Sequence, residues 1–319
     1  MTHLRSTSRL LAAALLAAAG LFTAGCAAHP PTPGTATAPG AAPSATLPPL
    51  PRPAIHEIPV ADSTADKSMP VEAYLFSSEQ RHQVDTARGT LTAQCMRRFG
   101  LAYTPEAPPP ASARGQATHR YDVVAPANGY RPAEPPTPRP APPQLSPEVV
   151  GVLAGRLPGG AEPSTSYHGT PIPPGGCLGE ADARLTAQGG SMLDSQLAVG
   201  INFDNYRRSM TDDRLTAVFR AWSDCMRAEG HGYPTPDDAM KDPRWKTGTG
   251  PASPEEVAVA TADARCRQRT NVIGTWFAVE SAYEAEAIAG NLAELTGVRQ
   301  GIAAVVRNAS TVNSGGGDR

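Results

Sequence analysis

The chain has 319 residues, with 28 basic and 30 acidic side chains and a formal charge of −2. No run of Lys or Arg exceeds two residues, which excludes a duplex-binding protein, because counterion displacement needs a concentrated basic surface. Its 30 glycines and 34 prolines make up about a fifth of the chain and cluster where packing is implausible, so the folded part is smaller than the length implies.

Residues 1–25 read as an export signal. Arg5 and Arg9 precede an Ala/Leu-rich apolar run from Leu10 to Phe22, the charged-then-apolar order of a secretory segment. The run is shorter than the ~20 apolar residues a permanent span needs. Leu21-Phe22-Thr23-Ala24-Gly25-Cys26 resembles the lipobox of bacterial lipoproteins: small residues fit a peptidase cleft and the Cys26 thiol is the acceptor for lipid. Cleavage before Cys26 leaves 26 basic against 30 acidic residues. At ~0.8 kcal/mol per buried CH₂, two or three palmitate-like chains make attachment effectively permanent. The expected location is therefore the outer face of the cell membrane, with the bilayer as a partner through the lipid anchor.

Residues 26–58 read as a lipidated Pro-rich tether. From Ala27 to Ile55 the composition is mostly Pro, Ala, Thr and Gly with little charge, too little apolar surface to offset ordering entropy. At ~3.1 Å per residue its reach is up to ~90 Å. The predicted fold class for residues 59–308 is mainly α: a small disulfide-stapled helical domain, interrupted by a Pro-rich insert over residues 105–145. Within that insert Tyr121-Asp122-Val123-Val124 and Tyr130 are placed to dock back onto the core. Residues 309–319 read as a disordered tail.

Three helical regions carry periodic apolar faces. Ser77-Ser78-Glu79-Gln80 fits a capping box with Phe76 as its staple, followed by Val84, Ala87, Leu91 and Cys95. Thr211-Asp212-Asp213 opens a second helix with a stripe of Leu215, Val218, Phe219, Trp222, Cys225 and Met226, ending at Gly230. Ser253-Pro254-Glu255-Glu256 starts the third and longest, with Val272, Trp276, Val279, Tyr283, Ile288, Leu292, Leu295, Ile302 and Val306 at near-heptad spacing and Gly290, Gly297 and Gly301 as weak points. No sustained two-residue alternation supports a sheet scaffold.

Cys95, Cys177, Cys225 and Cys266 are the cysteines beyond the lipobox. An even number in an exported chain points to disulfides. Three pairings are open; Cys95–Cys177 with Cys225–Cys266 is favoured, since each joins a helix end to the next helical segment. Cys95-Met96-Arg97 with Gly100 and Tyr103 repeats as Cys225-Met226-Arg227 with Gly230 and Tyr233. This reads as an inward cysteine in the last helical turn, a glycine cap, and a tyrosine folded back over the disulfide. Ala181-Asp182-Ala183-Arg184 echoes Ala262-Asp263-Ala264-Arg265, so any duplication is partial.

With Pro174-Gly175-Gly176-Cys177, Ala221 through Arg227, Asp242-Pro243-Arg244-Trp245 and Ala260 through Cys266, the chain resembles a group of actinobacterial secreted proteins and lipoproteins of unknown function. The likeness spans roughly residues 70–305. It implies disulfides and a surface location, and brings no activity, substrate or cofactor.

Motifs for chemistry are sparse. The histidines are scattered, H-E-x-x-H, C-x-x-C-H, G-x-S-x-G and S-x-x-K do not occur, and no two cysteines have zinc-pair spacing. No catalytic residue, metal ligand or cofactor is therefore assigned. His231 is read as a solvated loop residue, Gly189-Gly190-Ser191 as a loop, and the acids Glu280, Glu284, Asp237 and Asp238 as solvated faces. Trp222 and Trp276 are read as core, whereas Trp245, flanked by charge, is the candidate partner contact. The function favoured on this basis is a non-enzymatic binding or scaffolding protein with an envelope protein or wall component as partner. The alternative is a cell-wall hydrolase using paired carboxylates.

Overall fold

Ser77 caps the first helix with its own side chain: its hydroxyl accepts from the Gln80 amide, while the Gln80 side chain accepts from the Ser77 amide. The computed structural model describes residues 51–111, 121, 123, 126–131, 145–156, 165–245 and 250–315. These residues are mainly α-helical. In chain order the helices are α1 (Ser78–Arg98), α2 (Pro147–Ala154), α3 (Gly176–Leu185), α4 (Gln196–Ser209), α5 (Asp213–Ala228), α6 (Pro236–Met240), α7 (Pro254–Thr270), α8 (Val272–Gly290) and α9 (Leu292–Asn313). A hairpin of two short antiparallel strands, β1 (Ser166–Tyr167) and β2 (Thr170–Pro171), lies between α2 and α3. Cys26 and the signal lie outside the described residues.

Helical periodicity does translate into burial. Val84, Ala87, Leu91 and Cys95 of α1 face inward, as do Leu215, Phe219, Trp222 and Met226 of α5. The apolar surface divides into three clusters. The largest gathers α4, α5, α7 and α8 around Trp222 and Trp276. A second joins α1, α3 and α9 through Leu91, Leu185 and Val305, and Val298 of α9 packs against both. The third is small: Cys95, Met96, Val152, Ile172 and Cys177.

The long third helical region is broken twice, and its first break is not at a glycine. Asn271 adopts left-handed backbone between α7 and α8, a conformation that asparagine tolerates better than most residues. Its side chain then holds the N-terminal segment: Oδ1 accepts from the Ala61 amide (3.1 Å) and Nδ2 donates to the Pro59 carbonyl (2.9 Å). The second break falls at Gly290–Asn291, which shifts the helical phase and leaves Leu292 exposed. Gly297 and Gly301 remain inside α9. Gly301 serves close approach, since a Cβ there would meet the Gly190 Cα at 2.9 Å.

The same close approach governs Gly274 on α8, where a Cβ would sit 1.8 Å from the Pro59 carbonyl oxygen. Gly274→Ala is therefore expected to displace the 59–61 segment and to destabilise by about 3 kcal/mol, the upper end of overpacking. Urea denaturation measures the loss, and faster hydrogen exchange at the Ala61 amide locates it.

Two predicted boundaries move. The tail begins later than residue 309, because α9 continues to Asn313, Ala309 is buried, and the Asn313 side chain donates to the Gln83 carbonyl at 3.0 Å. The end of the tether is also held: Arg214 donates to the Pro53 carbonyl at 2.9 Å, and Arg52 lies 3.7 Å from Asp212. The insert docks back through Tyr121 and Tyr130; Asp122 and Val124 lie outside the described residues. Pro105 lies against Gly89 of α1, while Glu106, Ala107, Pro109, Pro110 and Ala111 are exposed.

Candidate functional site

Two disulfides close the fold, Cys95–Cys177 between α1 and α3 and Cys225–Cys266 between α5 and α7, with Cα separations of 5.5 and 5.7 Å. The repeated motif ends both α1 and α5 in the same way. Gly100 and Gly230 have positive φ, their amides donate to Arg97 and Arg227, and the next amides, Leu101 and His231, reach back to Met96 and Met226. This is the paired reversal that left-handed glycine permits at a helix end. Tyr103 packs onto the Cys95 cluster and Tyr233 onto the cluster containing Cys266. His231 is thus a helix-cap residue in backbone terms.

Polar residues inside the largest cluster bind the insert to the helices. Asp263 accepts from Trp222 Nε1 (2.8 Å), the Tyr130 hydroxyl (3.0 Å), and Arg267 Nε and Nη2 (2.7 and 3.0 Å). Arg267 uses Nη1 to donate to the Tyr121 carbonyl at 2.8 Å. Burial works against its charge, yet the adjacent Asp263 carboxylate prevails and raises its pKa. Glu256, expected to serve the helix dipole, also turns its carboxylate inward, accepting from the Tyr130 amide and Arg131. Burial, and then Asp263, push the Tyr130 hydroxyl well above its ordinary range.

Glu280 and Glu284 are not on a solvated face. Both are fully buried: Glu280 accepts from the Tyr121 hydroxyl, and Glu284 from the Val71 amide at 3.0 Å. Periodicity missed this because their partners come from segments more than 150 residues away in sequence. Asp238 closes a capping box with Thr235, and Asp237 accepts from Lys241 and Tyr206.

Trp245 also departs from expectation. It is 7% exposed, donates from Nε1 to the Ala239 carbonyl, and stacks on Tyr130. Arg244 covers its ring and engages Asp242, Glu255 and the Tyr233 hydroxyl. Burial together with Asp242 pushes Tyr233 up to about 12. Trp245 is thereby a core residue beneath a charged lid, and it offers no surface for a partner.

Asp212 links the tether end to the domain. It caps α5 through the Arg214 amide, accepts from Arg214 Nε and Nη2, and takes the Tyr283 hydroxyl at 3.1 Å. Burial pushes its pKa up, but the Arg214 contacts outweigh this and hold it at about 2. A depressed carboxylate stabilises the fold above its unfolded pKa, near 4, and loses that contribution as pH falls through about 2. Asp212→Asn is expected to cost about 2 kcal/mol at neutral pH. The gap from wild type in urea midpoint should narrow on acidification toward pH ~2.

Between α4 and the C-terminal half of α8 lies a groove of about 380 Å³. Ser195 caps α4 and directs one helical face across it. Asn205 lines the groove at 1% exposure. Its Nδ2 donates to the Ile201 carbonyl at 2.8 Å, which fixes the amide's orientation, and its Oδ1 receives no hydrogen bond among the described residues. A buried acceptor without a donor costs free energy, and the Asn202 Oδ1, three residues earlier on α4, is left in the same state. Gln196, Asp204, Arg208, Glu286 and Asn291 supply the remaining polar wall. The sequence reading did not single out any of these residues. A second groove, about 400 Å³ beside Leu193 and Gly301, is mostly apolar.

Among the described residues, no group of three or more His, Cys, Asp or Glu side chains could hold a metal ion, and no helix is long and apolar enough to cross a membrane. No protein-family model matches the chain, and comparison with curated proteins and with solved structures finds no match.

Proposed function

We propose that the chain is a lipid-anchored protein on the outer face of the cell membrane that holds a ligand or partner without transforming it. The observation that carries this reading is the placement of the acids. Glu280 and Glu284 are sealed in the core, and Asp237 and Asp238 are engaged at a helix start, so the carboxylates the sequence offered for glycan cleavage are committed to structure. The groove between α4 and α8, in contrast, keeps the side chains of Gln196, Asp204 and Glu286 along its lining. The lipobox around Cys26 supports the anchor, and two disulfides fit an oxidising compartment. The paired Cys-Met-Arg motifs support kinship with actinobacterial secreted proteins.

Radiolabelled palmitate should label the wild type and not Cys26→Ala, and crosslinking on intact cells should trap a specific envelope component. Equal labelling of both forms, or a cytoplasmic product with its N-terminus intact, overturns the anchor. Release of soluble fragments from purified wall, lost on acid substitution, overturns the non-enzymatic reading.

A further inference from the structure

We propose that the Cys225–Cys266 disulfide is a thiol-exchange site, reduced by a dithiol that attacks the Cys225 sulfur, whereas Cys95–Cys177 is inert. Both bonds use the same Cys-Met-Arg-x-x-Gly-x-x-Tyr motif, but only one reaches the surface. Cys95, Cys177 and Cys266 are fully buried, while Cys225 is partly exposed near the end of α5. Arg269 of α7, itself well exposed, places Nη1 3.5 Å from the Cys225 Sγ. Arg265 and Arg269 share one carboxylate, Glu229, at 3.6 and 3.2 Å, so positive charge is in excess beside this sulfur. On the α5 side Arg227 is balanced by Asp224. At the first bond the arginines of α1 turn elsewhere: Arg88 to Asp182 and Arg98 to Glu180.

Access decides which sulfur of a disulfide is attacked, and neighbouring cations decide how readily that sulfur carries negative charge. An incoming thiol, its proton lost to solvent, meets Cys225 first, with the buried Cys266 behind it. A bond forms between the incoming sulfur and the Cys225 Sγ as the Cys225–Cys266 bond breaks, and the electron pair departs on the Cys266 sulfur, which takes up a proton. The second thiol of the reductant, losing its own proton, then attacks its partner sulfur in the mixed disulfide. The reductant's disulfide closes, and Cys225 leaves as a thiolate, the charge that Arg269 stabilises. One dithiol is oxidised and one protein disulfide reduced, a two-electron exchange. The fold tolerates it, because α5 and α7 stay joined by the Trp222 to Asp263 hydrogen bond inside the largest apolar cluster. Each molecule accepts one electron pair, so the site is a modification point and not a turnover centre.

The test exposes the mature lipid-bearing protein, in detergent at neutral pH without denaturant, to dithiothreitol. Acid quenching, unfolding and alkylation then let mass spectrometry report each cysteine against time. Cys225 and Cys266 are expected to be reduced roughly tenfold or more faster than Cys95 and Cys177, with the helical circular dichroism retained. The monothiol glutathione should leave its mixed disulfide on Cys225. Arg269→Gln should slow reduction about threefold or more and, in the reduced protein, raise the pH of half-maximal Cys225 alkylation by about one unit, the low end for losing an opposite charge at this distance. Arg269→Lys should restore both in part. Equal rates for the two bonds, reduction only in urea, the glutathione adduct on Cys266, or Arg269→Gln indistinguishable from wild type overturns the proposal. The first three outcomes are read on the wild type, so they decide even if a variant fails to fold.

Discussion

Asp263→Ala is expected to destabilise the domain by about 3 to 5 kcal/mol, the range for breaking one side of a buried ion pair. Both partners are almost wholly removed from solvent, with side-chain exposures of 1% for Arg267 and 0% for Asp263. Without Asp263 the guanidinium loses its counter-charge, and Trp222 Nε1 and the Tyr130 hydroxyl lose their acceptor as well. Asp182→Ala is the informative comparison. It occupies the echoing Ala-Asp-Ala-Arg segment and takes a two-bond contact from Arg88 at 2.6 and 2.9 Å, but both side chains are about one-third exposed. Its loss should cost no more than about 1 kcal/mol. Urea midpoints of the two variants measure the contrast, and equal losses would contradict it. Replacing Asp263 and Arg267 together by Leu and Met should recover only part of the deficit: it removes the unpaired charge, but Trp222 Nε1 and the Tyr130 hydroxyl still lack their acceptor and the Tyr121 carbonyl loses its donor.

Loss of the Cys95–Cys177 bond is expected to be comparably severe. The bonds span sequence separations of 82 and 41 residues, which the chain-entropy relation converts to about 4.5 and 4 kcal/mol. The local consequences differ more than these values do. Cys95 and Cys177 are two of the five buried residues in the smallest apolar cluster, where the other contacts come largely from partly buried side chains such as Phe99, Val149 and Tyr167, so this region depends more on its disulfide than the largest cluster does. Cys225–Cys266, in contrast, adjoins the largest cluster and the Asp263 network. The Cys95→Ala/Cys177→Ala variant should therefore exchange amide hydrogens fastest in α2 and around Tyr167. The Cys225→Ala/Cys266→Ala variant should keep α2 protected. Unchanged exchange in α2 after loss of the first bond would contradict this assignment.

Helix starts were legible because caps are local. Ser77, Asp212 and Ser253 each accept from an amide two or three residues onward, and neighbouring residues suffice to specify that bond. The repeated glycine reversals at Gly100 and Gly230 were legible for the same reason. Helix α4 was not, since its inward face mixes Ala198 and Ile201 with Asn202, Asn205 and Ser209, and an apolar count finds no stripe there. The groove went unseen with it. The break at Asn271 was also missed: an asparagine after Arg267 and Arg269 is a weak local stop signal, and the partners its side chain holds there, Pro59 and Ala61, are distant in sequence.

The amino-acid sequence by itself determined the mainly helical class, the helix caps, the two inward cysteine positions with their glycine turns, and the placement of Trp222 and Trp276 in the core. Tertiary structure decided the fate of the charged and ambivalent residues. Glu280 and Glu284 are buried because Tyr121 and Val71 bring them donors, and Trp245 because Tyr130 and Arg244 cover it. A cap depends on a few consecutive residues, whereas the desolvation of a polar side chain depends on which distant segment arrives with a compensating hydrogen bond.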